Sequence, residues 1–257
     1  MTLADLKTGH RLDPNDTRDR PYRDHADHAG APLLPSDDVD LRDDLPEVRE
    51  QIAQDCCAHA VADAVTQDAA TRGVVLDEPS RLFLYDVALL EERPKQPLVD
   101  AGCGLRWMFK GMKERGLTTE KRWPEIPENI NVVPPDDCWR AAEEGTIGAY
   151  SAISDGSSSA DEAIAALRRR RVSTVCMRVD QKFTDTLKAV YDGAGGQVIG
   201  SHCMLVVGFS TALDAFLIRN SWGKHRHDGG YVWVSRRFYN LYTYGKWIVE
   251  FGTGALS

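Results

Sequence analysis

The stretch "REQIAQDCCAHAVADAV", Arg49 to Val65, places two adjacent thiols where a polar loop gives way to an alanine- and valine-rich run. A cysteine attacks carbonyl carbon as its thiolate, and a helix N-terminus favours that charge through unpaired N–H groups and the helix dipole. Cys56 and Cys57 stand at such a start, with Asp55 before them as a candidate N-cap. A proton partner is offered much later by His202, which heads the apolar run "GSHCMLVVGF". The segment "LIRNSWG" supplies Asn220 to bond the far side of that ring and fix its tautomer, and Trp222 to shield the bond from water. Gln51, just ahead of the thiols, has an amide to donate to a developing oxyanion beside the cysteine's own N–H. Nucleophile, base, orienter and oxyanion donor together describe acyl transfer through a thioester.

Helical geometry bears on which sulfur reacts. At 100° per residue, Ala58, Val61, Ala62 and Val65 form an apolar stripe that leaves Cys56 nearly opposite and Cys57 beside it. A nucleophile must face a cleft, so Cys56 is the expected nucleophile and Cys57 the alternative. His59, one turn on, reads as a helix-face residue meeting the other lobe, with a second base for Cys56 as the alternative. Cys103, Cys138, Cys176 and Cys203 read as small buried hydrophobes.

These residues need elements to hold them. Residues 1 to 38 are rich in Asp, Arg, His and Pro and read as a surface-hugging arm. From about 45 to 150 the pattern is mostly helical: the run from Cys56 ends at Gly73, a second helix is "PSRLFLYDVALLEERP", and a third is "GCGLRWMFKGMKERG". "EIPENINVVPPDD" reads as a proline-rich connection. After Ser157–Ser159 one short helix, "DEAIAALRRRR", precedes the strand-like runs "VSTVCMRV", "HCMLVVGF", "AFLIRNSW", "GGYVWVS" and "KWIVEF". Helices first and strands later predict an α+β protein. The expected division is an arm over 1–38 and a domain over 39–252, with a helical lobe to about 150 and a β lobe from about 151.

Composition narrows the function. The 257 residues suffice for one domain with a cleft, and a net charge of −8 disfavours nucleic acid or an anionic membrane as partner. The basic run Arg168 to Arg171 reads as a solvated helix end. No run is apolar enough to span a bilayer and no export signal opens the chain, which with six unframed cysteines predicts reduced thiols in the cytoplasm. There is no CxxC, HExxH or GxxxxGK[ST] motif, and His225 with His227 lacks further ligands at supporting spacing. Neither a metal nor a cofactor is expected; the oligomeric state is not legible.

The ordered set resembles the papain-like cysteine peptidases, in particular the bacterial branch without a long inhibitory propeptide. "VDLRDDLPEVREQ" is similar to the entry segment "DLR…PPVxDQ" whose Gln serves the oxyanion hole, here Gln51. "GSHCMLVVGF" is similar to "GHAVxxVGY" at the catalytic His, and "AFLIRNSWGKHRHDGGYVWVS" to "xFxIRNSWGxxWGxxGYxxM" at the Asn. His202 follows Cys56 at the ~130–150 residues usual for that family. "GHRLDPNDTRDRPY" resembles a prologue seen in bacterial members.

The resemblance implies a two-lobed fold, helical lobe first and an antiparallel sheet or barrel second, with the site in the cleft between. It implies a peptide or other amide or acyl substrate. It also implies a cleft edge at "DAGCG" with Gly102, Cys103 and Gly104, and further cleft residues Ser201, Trp222 and Arg226. Two departures stand out. "QIAQDCC" replaces Gln-Gly-x-x-Gly-Ser-Cys, so counting forward from Gln51 selects Cys57 while counting back from the helix selects Cys56. Arg226 replaces the second Trp, making the acceptor side polar. The leading expectation is a cysteine peptidase or amide hydrolase. An amide-forming acyltransferase or transpeptidase shares its intermediate, and a non-catalytic papain-fold binding protein is the third reading.

Overall fold

The computed structural model describes residues 6–14, 16–24, 33–193 and 196–252. After β1 (Val39–Asp40) come three helices, α1 (Cys56–Thr71), α2 (Arg81–Glu92) and α3 (Leu105–Arg115). The sequence patterns anticipate all three. Ser80 caps α2 by accepting from Phe83 N, and Gly116, at φ +84°, ends α3. Alanine and valine on every side of α1 suit a helix buried all round, and every residue from Cys56 to Val65 is buried. The single apolar stripe read from the wheel is therefore too narrow. One flank of α1 meets α2, while another meets strands β5 (Val198–Ser210) and β9 (Trp247–Phe251).

Between α3 and β5 lie α4 (Asp136–Ala142), β2 (Ile147–Ala152), α5 (Ser159–Arg168), β3 (Ser173–Asp180), α6 (Gln181–Asp185) and β4 (Val190–Tyr191). After β5 come β6 (Ala215–Arg219), β7 (Tyr231–Ser235), α7 (Arg236–Tyr242) and β8 (Thr243–Tyr244), ahead of β9. All five predicted strand runs form strands. The main sheet has the order β4-β7-β6-β5-β3-β8, with β1 on β5, while β2 and β9 pair separately. It is an open, mixed sheet, because β4 runs parallel to β7; the expectation of an antiparallel sheet or barrel is corrected on both points. Strand β2, inside the stretch read as mostly helical, pairs with the end of the chain, a partner about a hundred residues away. Helix α4 follows the proline-rich connection, starting after Pro135 with Asp136 and Asp137 in its first turn, where the helix dipole favours negative charge.

Two apolar cores result. One joins α1, α2 and α3 around Leu82, Phe83, Met108 and Phe109. The other joins the main sheet with α5 and α7 around Val206, Phe216 and Tyr239. A buried ion cluster ties them: Asp63 of α1 accepts from Arg81 of α2 at 2.8 Å and from Arg219 of β6 at 2.6 Å. Losing one member of such a cluster strands the others' charge in a poor solvent. Three of the four arginines from Arg168 to Arg171 meet carboxylates, Asp37, Asp44 and Asp68 being partners of Arg168, Arg170 and Arg171, while Arg169 donates to Ala165 O. Among the described residues no helix is long and apolar enough to cross a membrane.

Candidate active site

The cleft lies between the two cores, where the start of α1 meets the middle of β5. Asp55 occupies the N-cap position of α1 but its side chain makes no capping bond, which corrects the expectation of a side-chain cap. The helix dipole still acts on the next residue. Cys56 Sγ accepts from Cys203 N of β5 at 3.4 Å. Burial alone would push its thiol up. Hydrogen bonds with the Cys57 thiol and the His202 imidazole, the charge on His202, and the Cys203 N–H together hold it well below the ordinary value. Cys57 Sγ also lies 3.5 Å from Cys103 O, and burial pushes its thiol well up. All six cysteines are buried and unpaired.

His202 is fully buried, stacked on Trp222 with ring centroids 4.5 Å apart and planes at 16°. Its Nε2 lies 2.7 Å from Asn220 Oδ1, so Nδ1 is the ring nitrogen left for the Cys56 thiol. Asn220 is set just past β6, and its Oδ1 also accepts from Ser221 N. Its Nδ2 lies 2.9 Å from His227 Nε2, and His227 Nδ1 lies 2.7 Å from Thr186 O. A carbonyl only accepts, so His227 carries its proton on Nδ1 and receives Asn220 Nδ2–H at Nε2. Burial, with the nearby charge of His202, lowers the pKa of His227 and keeps it neutral. The Asn220 amide is thereby fixed with its oxygen toward His202. Sequence reasoning missed this role of His227. The available signal was a histidine seven residues after Asn220, at the position where the family pattern has glycine; its φ of +51° is the backbone such a glycine would adopt. His225 instead sits 3.7 Å from Glu50, so the two histidines do not share a partner.

Gln51 is buried between two anchors: its Nε2 donates to Ala53 O at 2.8 Å and its Oε1 accepts from Ser221 Oγ at 2.6 Å. One of its two amide hydrogens is thus spent on the loop, and the other remains. His59, expected to meet the other lobe, turns toward Glu125 and Asp55 within the helical part of the chain instead. Arg226 forms a turn, its N–H donating to Gly223 O and its carbonyl accepting from Gly230 N.

The arm does not hug the surface in the segment before residue 14. It threads the cleft. Gly9 N donates to Cys56 Sγ at 3.3 Å, and Trp222 Nε1 donates to Lys7 O at 2.9 Å. Cys103 N donates to Gly9 O and Arg11 N to Cys103 O, a parallel bridge along the edge read as Gly102–Gly104. The approach demands two glycines: a Cβ on Gly102 would stand 2.1 Å from Gly9 O, and one on Gly9 would stand 1.6 Å from Gln54 O. His10 N donates to Ser201 O, and His10 Nδ1 meets Ser201 Oγ at 3.0 Å. Beyond it, His10, Asp13, Arg106, Tyr244, Lys246 and Trp247 border a cavity of about 230 Å³ between arm and body. The remainder of the arm at residues 1–5, 15 and 25–32 lies outside the described residues.

Comparison with known proteins agrees with this architecture. The profile of the papain family cysteine proteases matches residues 36–246. An uncharacterized peptidase C1-like protein of Acanthamoeba polyphaga mimivirus is 25% identical over 205 residues, 75% of this chain and 65% of its own. A probable cysteine protease of Arabidopsis thaliana is 41% identical over 59 residues, 22% of this chain and 16% of its own. The chain thus spans less than two thirds of the length of these relatives. Xylellain, a cysteine protease from Xylella fastidiosa, has a similar structure with a TM-score of 0.80 at 23% identity, over 96% of both chains. A procathepsin B from Trypanosoma congolense follows at 0.76 and 14%, over 98% of this chain and 90% of its own. Structural likeness at such identity speaks for the fold, and the profile match for the family: this chain belongs to the papain family of cysteine proteases.

Proposed function

We propose that the protein is a peptide-bond hydrolase in which Cys56 is the nucleophile, His202 the proton carrier, Asn220 the orienter and Gln51 an oxyanion donor. The observation that carries this reading is the environment of Cys56, a thiol held low at a helix start beside an imidazole whose far nitrogen is bonded to Asn220. The Cys56 thiolate attacks the carbonyl carbon, forming a C–S bond and an oxyanion that the Cys56 N–H and the second Gln51 amide hydrogen receive. His202 then gives its proton to the leaving nitrogen as the C–N bond breaks, and the acyl group remains as a thioester. Water, deprotonated by His202, attacks the thioester and releases the acid and the thiol.

The arm must leave the cleft before a substrate enters, since Gly9 N already bonds to the sulfur. An amide-forming transferase would share each step up to the thioester. Among the described residues no contact selects an amine over water, so hydrolysis is the conclusion. The unpaired thiols suit a reducing compartment and support the cytoplasm as its location.

A panel of fluorogenic peptides incubated with and without added amines tests the proposal. Hydrolysis by the unaltered protein, abolished in Cys56→Ala, is expected. Amide products at the expense of free acid would favour the transferase, and no turnover after displacement of the arm would favour the binding protein.

A further inference from the structure

Behind the loop that carries Gln51, three side chains from two distant parts of the chain converge without solvent. Asp55 and His59 lie one turn apart on the first turn of α1, and Glu125 follows Pro124 in the connection after α3. Their side chains are 0%, 3% and 4% exposed. His59 Nε2 stands 3.0 Å from Glu125 Oε2 and 3.7 Å from Asp55 Oδ2, and one donor atom from each residue lies within 4.8 Å of the others.

The ordinary account is a buried His–Glu ion pair. It explains Glu125, whose Oε1 also accepts from Ile52 N at 3.0 Å, and it leaves Asp55 over. Both Asp55 oxygens are buried without a hydrogen-bond partner, and Oδ2 lies 3.7 Å from the same imidazole nitrogen that Glu125 Oε2 approaches to 3.0 Å. One nitrogen can carry one proton, so it cannot serve both carboxylates. Arg81, the nearby cation, gives its two terminal nitrogens to Asp63 at 2.8 Å and Glu78 at 2.7 Å and makes no hydrogen bond to Asp55. A buried carboxylate without partners costs several kcal/mol unless it takes up a proton or something of opposite charge meets it.

We propose that Asp55, His59 and Glu125 form a binding site for one divalent transition-metal ion. Two carboxylates and one neutral imidazole balance a dication. One nitrogen and two oxygens suit Mn²⁺, Co²⁺ or Zn²⁺ better than Ca²⁺, which needs six or more oxygens, or Cu⁺, which prefers sulfur. The two separations from His59 Nε2, 3.0 and 3.7 Å, are of the size found between ligands lying about 2 Å from a common centre. The ion joins the first turn of α1 to the 124–125 segment, and Glu125 Oε1 stays with Ile52 N, so the Gln51 loop is held from behind. No sequence motif announces the site, because Glu125 lies more than sixty positions from its co-ligands. The role is structural; the peptide-hydrolysing residues are not ligands.

The full chain, stripped with a chelator and dialysed against Co²⁺ or Mn²⁺, tests this. About one equivalent of Co²⁺ is expected per chain, with visible bands of a nitrogen–oxygen site and no thiolate charge-transfer band. The isosteric variants Asp55→Asn and Glu125→Gln are expected to weaken binding at least tenfold, while Cys56→Ser binds as the unaltered chain does. Should the variants fail to fold, Mn²⁺ titrated into the unaltered protein serves instead: the His59 ring protons are expected to broaden before those of His202 or His225. Stoichiometry near zero, a thiolate band lost in Cys56→Ser, or broadening that begins at another histidine would overturn the proposal. Binding lost in Cys56→Ser would place the metal on sulfur, leaving the hydrolase reading standing.

Discussion

Asn220 is held from both sides, its Oδ1 2.7 Å from His202 Nε2 and its Nδ2 2.9 Å from His227 Nε2. The carbonyl of Thr186 fixes the His227 proton on Nδ1, so a chain of single-direction hydrogen bonds runs from that carbonyl to the imidazole beside Cys56. His227 touches no reacting atom; it is a positioning residue. Replacing it with Gly frees the amide to rotate yet keeps a backbone suited to φ +51°. The expected result is a kcat about tenfold lower, the value of one or two hydrogen bonds, with KM unchanged. Steady-state kinetics on a fluorogenic peptide measures both. A change confined to KM would show that His227 acts on binding instead.

Displacing the arm should expose the sulfur. Gly9→Ala places a methyl group 1.6 Å from Gln54 O, a contact only movement of the arm relieves. Alkylation of the folded protein by iodoacetamide, followed by mass, is expected to run at least tenfold faster than in the unaltered chain. Equal rates would mean that the arm already leaves freely.

Asp63 supports both Arg81 and Arg219, which are buried with it. Asp63→Asn leaves two guanidinium groups facing a neutral amide, and a loss of about 3–5 kcal/mol is expected from such uncompensated charge. Urea denaturation followed by circular dichroism gives the figure, and a loss below 1 kcal/mol would show the arginines finding other partners.

Burial pushes the Asp86 carboxyl up to about 8, against the bond it accepts from Trp123 Nε1. The folded state then binds more protons than the unfolded between about pH 4 and 8. The stability that protonated Asp86 contributes is therefore complete below pH 3.8 and lost as pH rises through 8. Asp86→Asn keeps an acceptor for Trp123 without a titrating proton. Its melting temperature relative to the unaltered chain should climb steadily across that range, and a difference independent of pH would refute the buried-acid account.

Much of the site was legible because its chemistry leaves local marks. His202 opens an apolar strand, and Asn220 and Trp222 sit in one short motif, so motif and order together single them out as candidates. Helices α2 and α3 announce themselves by Ser80, Gly116 and their apolar period. What escaped depends on contacts between distant segments. Strand β2 takes its conformation from β9, so its own residues carry a weak signal. The burial of α1 on every side follows from packing between α2, β5 and β9, which no wheel displays. Nor does the run "KTGHRL" indicate a path over Cys56; that path depends on Gly9 and Gly102 meeting across some ninety residues.

The assignment of the nucleophile is tested most directly by trapping the acyl-enzyme from a p-nitrophenyl ester in acid and mapping the added mass to a peptide and residue. The adduct is expected on Cys56 in the unaltered chain and in Cys57→Ala, and to fall below detection in His202→Ala. An adduct on Cys57, or one that forms equally well without the imidazole, would contradict the account.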